Sequence, residues 1–100
     1  MTHTCTFQTI VDNPKVRVTR FEFRPGDETG WHRHEHDYVI TTLTRCVMKL
    51  EHEDGTTTVS DLQPGTVYYR DAGIRHNVIN GGDSNMSFVE VELLSEKASV

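Results

Sequence analysis

The chain has 100 residues, of which 35% are hydrophobic and 25% charged, a composition that predicts one folded domain over residues 1–100 rather than two domains or a disordered chain. The net charge is −5 and Lys and Arg form no run, which argues against a nucleic-acid partner. No apolar stretch reaches the length of a transmembrane helix and the N-terminus lacks the pattern of a secretory signal, so we expect a cytoplasmic protein without a membrane partner. Cys5 and Cys46 are too few for a disulfide framework and are expected to be free, buried thiols.

Short runs of alternating apolar and polar residues, separated by turn residues, follow one another along the chain. In chain order, the predicted strands are residues 4–11, 16–23, 29–42, 46–52, 56–62, 66–70, 76–80 and 86–94. The third of these either runs straight or bends near Asp37. No segment has the 3.6-residue apolar repeat of an amphipathic helix. About eight or nine short strands without a helix predict an all-β, antiparallel sandwich or barrel. Residues 95–100 are expected to be a frayed tail.

Two of these strands and one turn have sequence patterns that predict more detailed structure. In the second strand the large apolar residues change parity after Val18, which indicates either a bulge or a strand buried on both faces. Asp54-Gly55, between two alternating runs, predicts a hairpin. The last strand is apolar on both faces, and Glu90 and Glu92 share one of them. This pattern predicts a dimer interface or a sheet covered on both sides.

Histidines occupy every second position near the start of the third predicted strand, at His32, His34 and His36. On a regular strand they share one face, and the charged residues between them point the other way. Imidazoles facing a barrel interior need partners for their nitrogens, and a metal ion would serve all of them. The alternatives are an exposed cluster without a ligand and a single hydrogen-bonded core histidine. His76, on a later strand, could complete a metal site if that strand lies beside the histidine strand.

The pattern Gly26-x5-His32-x-His34 resembles the first motif of the cupin superfamily, and Gly65-x5-Asp71-x-Gly73-x2-His76-x3-Asn80 resembles the second. With the strands between them, the two motifs cover about two thirds of the chain. The resemblance to a small single-domain cupin implies a conical jelly-roll β-barrel that is often a homodimer. It also implies one divalent metal ion per chain at the mouth of the barrel. Its ligands would be His32, His34 and His76.

The chain departs from the cupin pattern at the fourth ligand. Cupins usually place a Glu four or five residues after the second histidine, where this chain has Tyr38 and Val39. Glu35 or Asp37 could replace that ligand only if a bulge reversed the register. Tyr38 has the parity of the histidines, so it is a candidate catalytic residue: a weak ligand, an acid or base, or a hydrogen-bond donor to a bound molecule. The alternative is an aromatic residue at the rim of the barrel.

A site of three neutral imidazoles suits Fe, Ni, Cu or Zn and leaves coordination positions open. Without a carboxylate ligand the ion keeps its full charge and should favour an anionic chelating molecule. Such a site resembles those of three-histidine thiol and diketone dioxygenases, whereas Zn or Ni would suit an isomerase or a lyase. The residues expected to surround it are Ile40, Cys46 or Val47, Met48, Tyr68 or Tyr69, and Phe88.

The leading hypothesis is therefore a metalloenzyme of small-molecule metabolism, with a small chelating metabolite as its substrate. The alternative is a cupin that binds or senses a metal or small molecule without turnover. Small cupins resembling this one are sometimes associated with amino-acid or β-alanine degradation. Asn80 is expected either to hydrogen-bond a ligand histidine or to hold the turn that follows it.

Overall fold

A computed structural model describes residues 3–94, which form nine β-strands and no helix. In chain order the strands are β1 (Thr6–Asp12), β2 (Val16–Phe23), β3 (His32–Arg33), β4 (Tyr38–Thr42), β5 (Cys46–His52), β6 (Thr57–Leu62), β7 (Val67–Arg70), β8 (Arg75–Asn80) and β9 (Met86–Leu93). The all-β prediction is therefore confirmed. No helix suited to crossing a membrane occurs in this range. The predicted tail at residues 95–100 lies outside the described part of the chain.

The strands form two antiparallel sheets, one of five strands in the order β1-β2-β9-β4-β7 and one of four strands in the order β3-β8-β5-β6. Successive strands alternate between the sheets from β2 to β5 and again from β6 to β9, whereas β1–β2 and β5–β6 are hairpins within one sheet; this is the antiparallel jelly roll that the sequence predicts. The hairpin at Asp54-Gly55 joins β5 to β6 as expected, and Gly55 has the positive φ of 88° that such a turn requires. β9 lies between β2 and β4, so it is a central strand of the five-stranded sheet and not an edge strand.

The third predicted strand, residues 29–42, is not continuous. It is divided into β3, which pairs with β8 in the four-stranded sheet, and β4, which pairs with β7 and β9 in the five-stranded sheet. Residues 34–37 carry the chain from one sheet to the other. Because these residues leave the pleat, the alternation of faces that applies to a regular strand cannot be extended through them.

The inner face of the five-stranded sheet changes from apolar to polar along β2 and β9. The register partners are Phe23 and Met86 at one end, then Phe21 and Phe88, then Thr19 and Glu90, and finally Arg17 and Glu92. The pairing of β2 with β9 is continuous, and the bulge of this sheet lies in β1, between Thr9 and Val11. The apolar residues of β2 therefore face inward at the core end and outward at the other end, where Arg17 and Thr19 take the inner face.

The core lies at the apolar end of this face. Phe23 is 1% exposed, and its ring stacks on Phe88 with 5.5 Å between the centroids; Phe88 also stacks on Phe21 at 5.3 Å. Met48 and Met86 fill the space between the sheets. Cys5 and Cys46 are free and buried, as the sequence predicts. Burial raises the pKa of both thiols, so neither is a thiolate at neutral pH.

Candidate metal centre

Three histidines from two distant segments meet at one point of the barrel. His32 on β3 and His76 on β8 are direct cross-strand partners. His34 follows β3, and its backbone N–H and C=O bond Ile74 and Gly73, at 2.8 Å each. The Nε2 atom of His34 lies 3.0 Å from Nε2 of His32 and 3.0 Å from Nε2 of His76. The sequence prediction that the second histidine motif lies beside the first is therefore confirmed.

The converging nitrogens are in the chemical state that a metal ligand needs. His32 Nδ1 donates a hydrogen bond to the Gly30 carbonyl at 2.9 Å, so in the neutral ring the lone pair lies on Nε2. Burial, and next the charge of His32, lowers the pKa of His34 to about 4. The same two causes lower the pKa of His76 to about 3. His34 and His76 are thus neutral at pH 7, the form in which imidazole binds metals.

The spacing of the nitrogens also fits a metal ion. Two nitrogens that are each about 2.1 Å from one ion and subtend a right angle at it lie about 3.0 Å apart. Both close pairs in the cluster have this separation, and one ligand atom from each histidine lies within 4.8 Å of the others. Lone pairs this close need a proton or a cation between them. The three histidines are therefore positioned to bind a divalent ion with other coordination positions open.

The other residues of the histidine segment do not join this cluster. His36 lies beyond the point where the strand breaks and outside the cluster, so the alternation of a regular strand does not extend to it. Glu35 is exposed, and Asp37 Oδ1 accepts a hydrogen bond from the Ala72 N–H at 2.8 Å. Among residues 3–94, the only group with metal-ligand geometry is His32, His34 and His76, so no described carboxylate replaces the Glu that cupins usually supply.

Tyr38 lies directly against the cluster. Its ring stacks on the His34 ring with 3.9 Å between centroids and 18° between planes, and the residue is 3% exposed. It is therefore a buried residue of the site and not an aromatic of the exposed rim. Burial raises the pKa of its phenol, which keeps the hydroxyl protonated and able to donate a hydrogen bond. Its predicted catalytic role remains a prediction.

The histidines open into a cavity of about 240 Å³ between the sheets. Since a water molecule in the liquid occupies about 30 Å³, this space holds a molecule of roughly eight non-hydrogen atoms. Of the residues that the sequence assigns to the pocket, Ile40, Met48, Tyr68 and Phe88 line it, whereas Tyr69 is 48% exposed. Cys46 is fully buried and does not line the cavity.

Glu90 is a cavity residue whose position the sequence analysis missed. It lies on the inner face of β9, is 8% exposed, and places Oε2 3.9 Å from Nδ1 of His34. Burial, and next the neighbouring Glu92, raises the pKa of Glu90 to about 7. The shared face of Glu90 and Glu92 was the available signal, but the sequence does not say which face of β9 points inward.

Two asparagines of β8 have structural roles around the site. Asn80 donates to the Ser84 carbonyl at 2.8 Å and accepts from the Gly82 N–H at 3.0 Å, so it holds the following turn and not a ligand histidine. Asn77, which the sequence analysis did not select, accepts a hydrogen bond from the Gly30 N–H at 3.0 Å. Because Gly30 also accepts from His32, Asn77 ties the segment that carries His32 to the strand that carries His76.

Known proteins resemble this chain in sequence. A family model described as a cupin domain matches residues 19–92. The chain is 47% identical over 83 residues to the β-alanine degradation protein BauB of Pseudomonas aeruginosa, covering 83% of this chain and 86% of that protein.

Solved structures also share the fold of this chain. A cupin domain from Bordetella pertussis is 41% identical, with a TM-score of 0.88 over 93% of this chain and 96% of that one. The polyketide cyclase RemF of Streptomyces resistomycificus has a TM-score of 0.73 at 23% identity, over 93% of this chain and 67% of that one, which shows a shared fold.

Proposed function

Because the chain belongs to the cupin family, we propose that its three histidines bind one divalent metal ion and that the protein is a metalloenzyme acting on a small chelating metabolite. The observation that carries this proposal is the convergence of three Nε2 atoms at the wall of a cavity of about 240 Å³. Fe, Ni, Cu and Zn all suit imidazole ligands. The leading chemistry is oxidative cleavage with Fe(II) and O2.

Different residues of the site would bind the metal ion, exclude water and donate a hydrogen bond in this reaction. A bound Fe(II) ion would supply the redox chemistry, or Zn and Ni the Lewis-acid chemistry of an isomerase or lyase. His32, His34 and His76 would hold the ion, and the absence of a carboxylate ligand favours an anionic group on the substrate. Met48 and Phe88 would exclude water from the carbon chain of the substrate. The Tyr38 hydroxyl would donate a hydrogen bond to the reacting molecule.

The relative from Pseudomonas aeruginosa supports a metabolite from amino-acid degradation as the substrate, since its name refers to the degradation of β-alanine. β-Alanine has six non-hydrogen atoms, and the cavity has room for roughly eight. The proposal is therefore directed at small carboxylic acids of this size.

The test of the proposal is turnover by protein reconstituted with Fe(II) under anaerobic conditions and then mixed with aerated buffer and a small acid, diketone or thiol. We expect O2 consumption that depends on the added compound and is lost when the metal is removed by a chelator. Stoichiometric metal binding without turnover of any compound, with Fe, Ni, Cu or Zn, would support the binding or sensor protein instead.

Tyr38→Phe is expected to separate the role of the hydroxyl from that of the ring. The variant keeps the stacking on His34 but lacks the donor, so metal content should be unchanged while kcat/KM falls by about a hundredfold, the usual size of an acid–base contribution. Tyr68→Phe is the matched control, because Tyr68 also lines the cavity but its hydroxyl contacts Met48 Sδ at 3.6 Å. Equal activity in wild type and Tyr38→Phe would remove Tyr38 from the mechanism.

We also propose that the protein is a homodimer, with the outer face of the five-stranded sheet as the interface. A row of register partners without a charged residue crosses all five strands of this face: Val11, Val18, Val91, Val39 and Tyr69. Five strands spaced by about 4.8 Å span about 20 Å, a width suited to an interface of standard size. A second copy of the chain would cover this row.

Val67→Glu is expected to weaken the dimer by about tenfold or more, because it places an unpaired charge on this face. Val67 is 61% exposed on β7, so the change should not disturb the monomer. Val59→Glu on β6 of the other sheet is the matched control, at 66% exposure, and should leave the dimer intact. Sedimentation velocity over a range of concentrations measures the dimer dissociation constant of both variants. A monomeric wild type, or equal weakening by the two variants, would contradict this interface.

A further inference from the structure

The side chain of Glu90 projects into the cavity beside the histidines. It lies on the central strand β9, between its register partners Thr19 on β2 and Ile40 on β4. Glu90 and the three histidines line the same cavity, and the residue is 8% exposed. The carboxylate thus belongs to the inner surface of the site and not to the solvent-facing surface of the barrel.

The surrounding protein gives this carboxylate no cation in direct contact. Of residues 3–94, the only basic group within 4.0 Å of it is His34, whose Nδ1 atom is 3.9 Å from Oε2, too far for a hydrogen bond. The guanidinium of Arg17 lies 3.4 Å from Glu92 instead, and only its more distant charge acts on Glu90. Neither Thr19 nor Ile40 carries a charge. Glu90 is therefore a buried carboxylate without a hydrogen-bond donor among the described residues.

A buried carboxylate of this kind is costly unless something supplies a positive charge or donors to it. At the wall of a binding cavity the natural supplier is the bound molecule. A primary ammonium group fits best, because it carries one positive charge and three donors in a small volume. We infer that Glu90 binds the ammonium group of the substrate, so that the substrate class is a short amino acid held at both ends. This inference rests on the proposed metal site, which would take the anionic end.

The position of Glu90 also selects among amino acids. The Glu90 carboxylate faces Nδ1 of His34, whereas the cluster is formed by Nε2, so the His34 ring lies between the two binding positions. An α-amino acid separates its ammonium group from its carboxylate by one carbon, which gives the shortest reach around the His34 ring to Glu90. An amino group on the β-carbon or farther along reaches away from the carboxylate. The geometry therefore favours β-amino and longer ω-amino acids, with the methylene groups against Met48 and Phe88.

The experiment compares β-alanine with propionate, which has the same three carbons and no amine, on the zinc-loaded protein by isothermal titration calorimetry. We expect the wild type to bind β-alanine at least about tenfold more tightly than propionate, the usual effect of one hydrogen-bonded charge. Glu90→Gln should lose this preference and keep its zinc. Glu92→Gln is the matched control, two residues along the same face and paired with Arg17, and should keep the preference.

Other outcomes overturn the inference. If the wild type binds both acids equally, no ammonium group is recognised. If Glu90→Gln lowers the affinity for both acids equally or releases zinc, Glu90 supports His34 and does not bind the ligand. If Glu92→Gln loses the preference for β-alanine as fully as Glu90→Gln does, the preference comes from the total negative charge of the cavity and not from Glu90.

A failure of the metal proposal remains distinguishable, because zinc content is measured on the same samples. If the wild type does not take up zinc, the metal site fails while the ammonium site is tested on metal-free protein with propylamine and 1-propanol. A shift of the Glu90 amide signal in ¹H–¹⁵N spectra with propylamine alone supports the inference, and equal shifts or none refute it.

Discussion

His76→Ala should abolish stoichiometric metal binding. The substitution removes one of three converging Nε2 atoms and leaves two ligands on neighbouring positions of one segment. Structural zinc sites with four ligands are worth about 10–16 kcal/mol, so one ligand contributes about 3 kcal/mol and its loss weakens binding by roughly a hundredfold or more. The measurement is elemental analysis of untagged protein after dialysis against metal-free buffer.

His36→Ala is the control for this prediction. It removes a histidine from the same motif, but one that lies beyond the end of β3 and outside the cluster. Its metal content should equal that of the wild type. Equal loss of metal in both variants would mean that His36 coordinates the ion, and no metal in the wild type after reconstitution would remove the site altogether.

Phe23→Ala is expected to cost about 3–5 kcal/mol of the free energy of unfolding, the range for a phenylalanine removed from a close-packed core. Phe23 is 1% exposed and stacks on Phe88, so the substitution leaves a cavity between the sheets. Because a domain of this size has a total stability of about 5–15 kcal/mol, the loss is a large part of it. Urea unfolding followed by circular dichroism measures the difference.

Phe7→Ala is the matched control for the core prediction. Phe7 is 67% exposed, and its main aromatic contact is Phe21, with 5.9 Å between centroids. We expect a loss of about 1 kcal/mol or less. A loss at Phe7 as large as that at Phe23 would show that β1 is covered in solution, as by a second subunit.

The sequence predicted the parts of the site that depend on local pattern. The alternation of His32 and His34 and the turn before His76 were sufficient to place these residues on strands, and motif resemblance brought the strands together. The sequence indicated a bend near Asp37 but not a break directly after β3, because a change of sheet depends on which strands supply hydrogen bonds on either side. This is why the sequence could not tell whether His36 joins His32 and His34, and why the stacking of Tyr38 on His34 could not be foreseen.

The inner face of β9 was the other feature that local pattern could not provide. Glu90 and Glu92 were recognised as sharing a face, but a strand with apolar residues on both sides does not reveal which side is the interior. The register of β9 with β2 and β4 resolves this, since Phe88 and Glu90 continue the row of inward residues. The position of the Glu90 carboxylate in the cavity thus follows only from the long-range pairing of β9 with β2 and β4.

The central place of β9 also affects how the chain folds. β9 pairs with β2 across a large sequence separation, and Arg17 and Glu92 are 75 positions apart. Contacts this distant form only after a long loop has closed, and the entropy lost in closing it is not offset until they form. Folding is therefore expected on the millisecond-to-second timescale. During synthesis, the aromatic face of β2 stays uncovered until β9 has left the ribosome. The histidine segments emerge earlier, so the metal ligands are exposed to the cell before the wall that carries Glu90 closes over them.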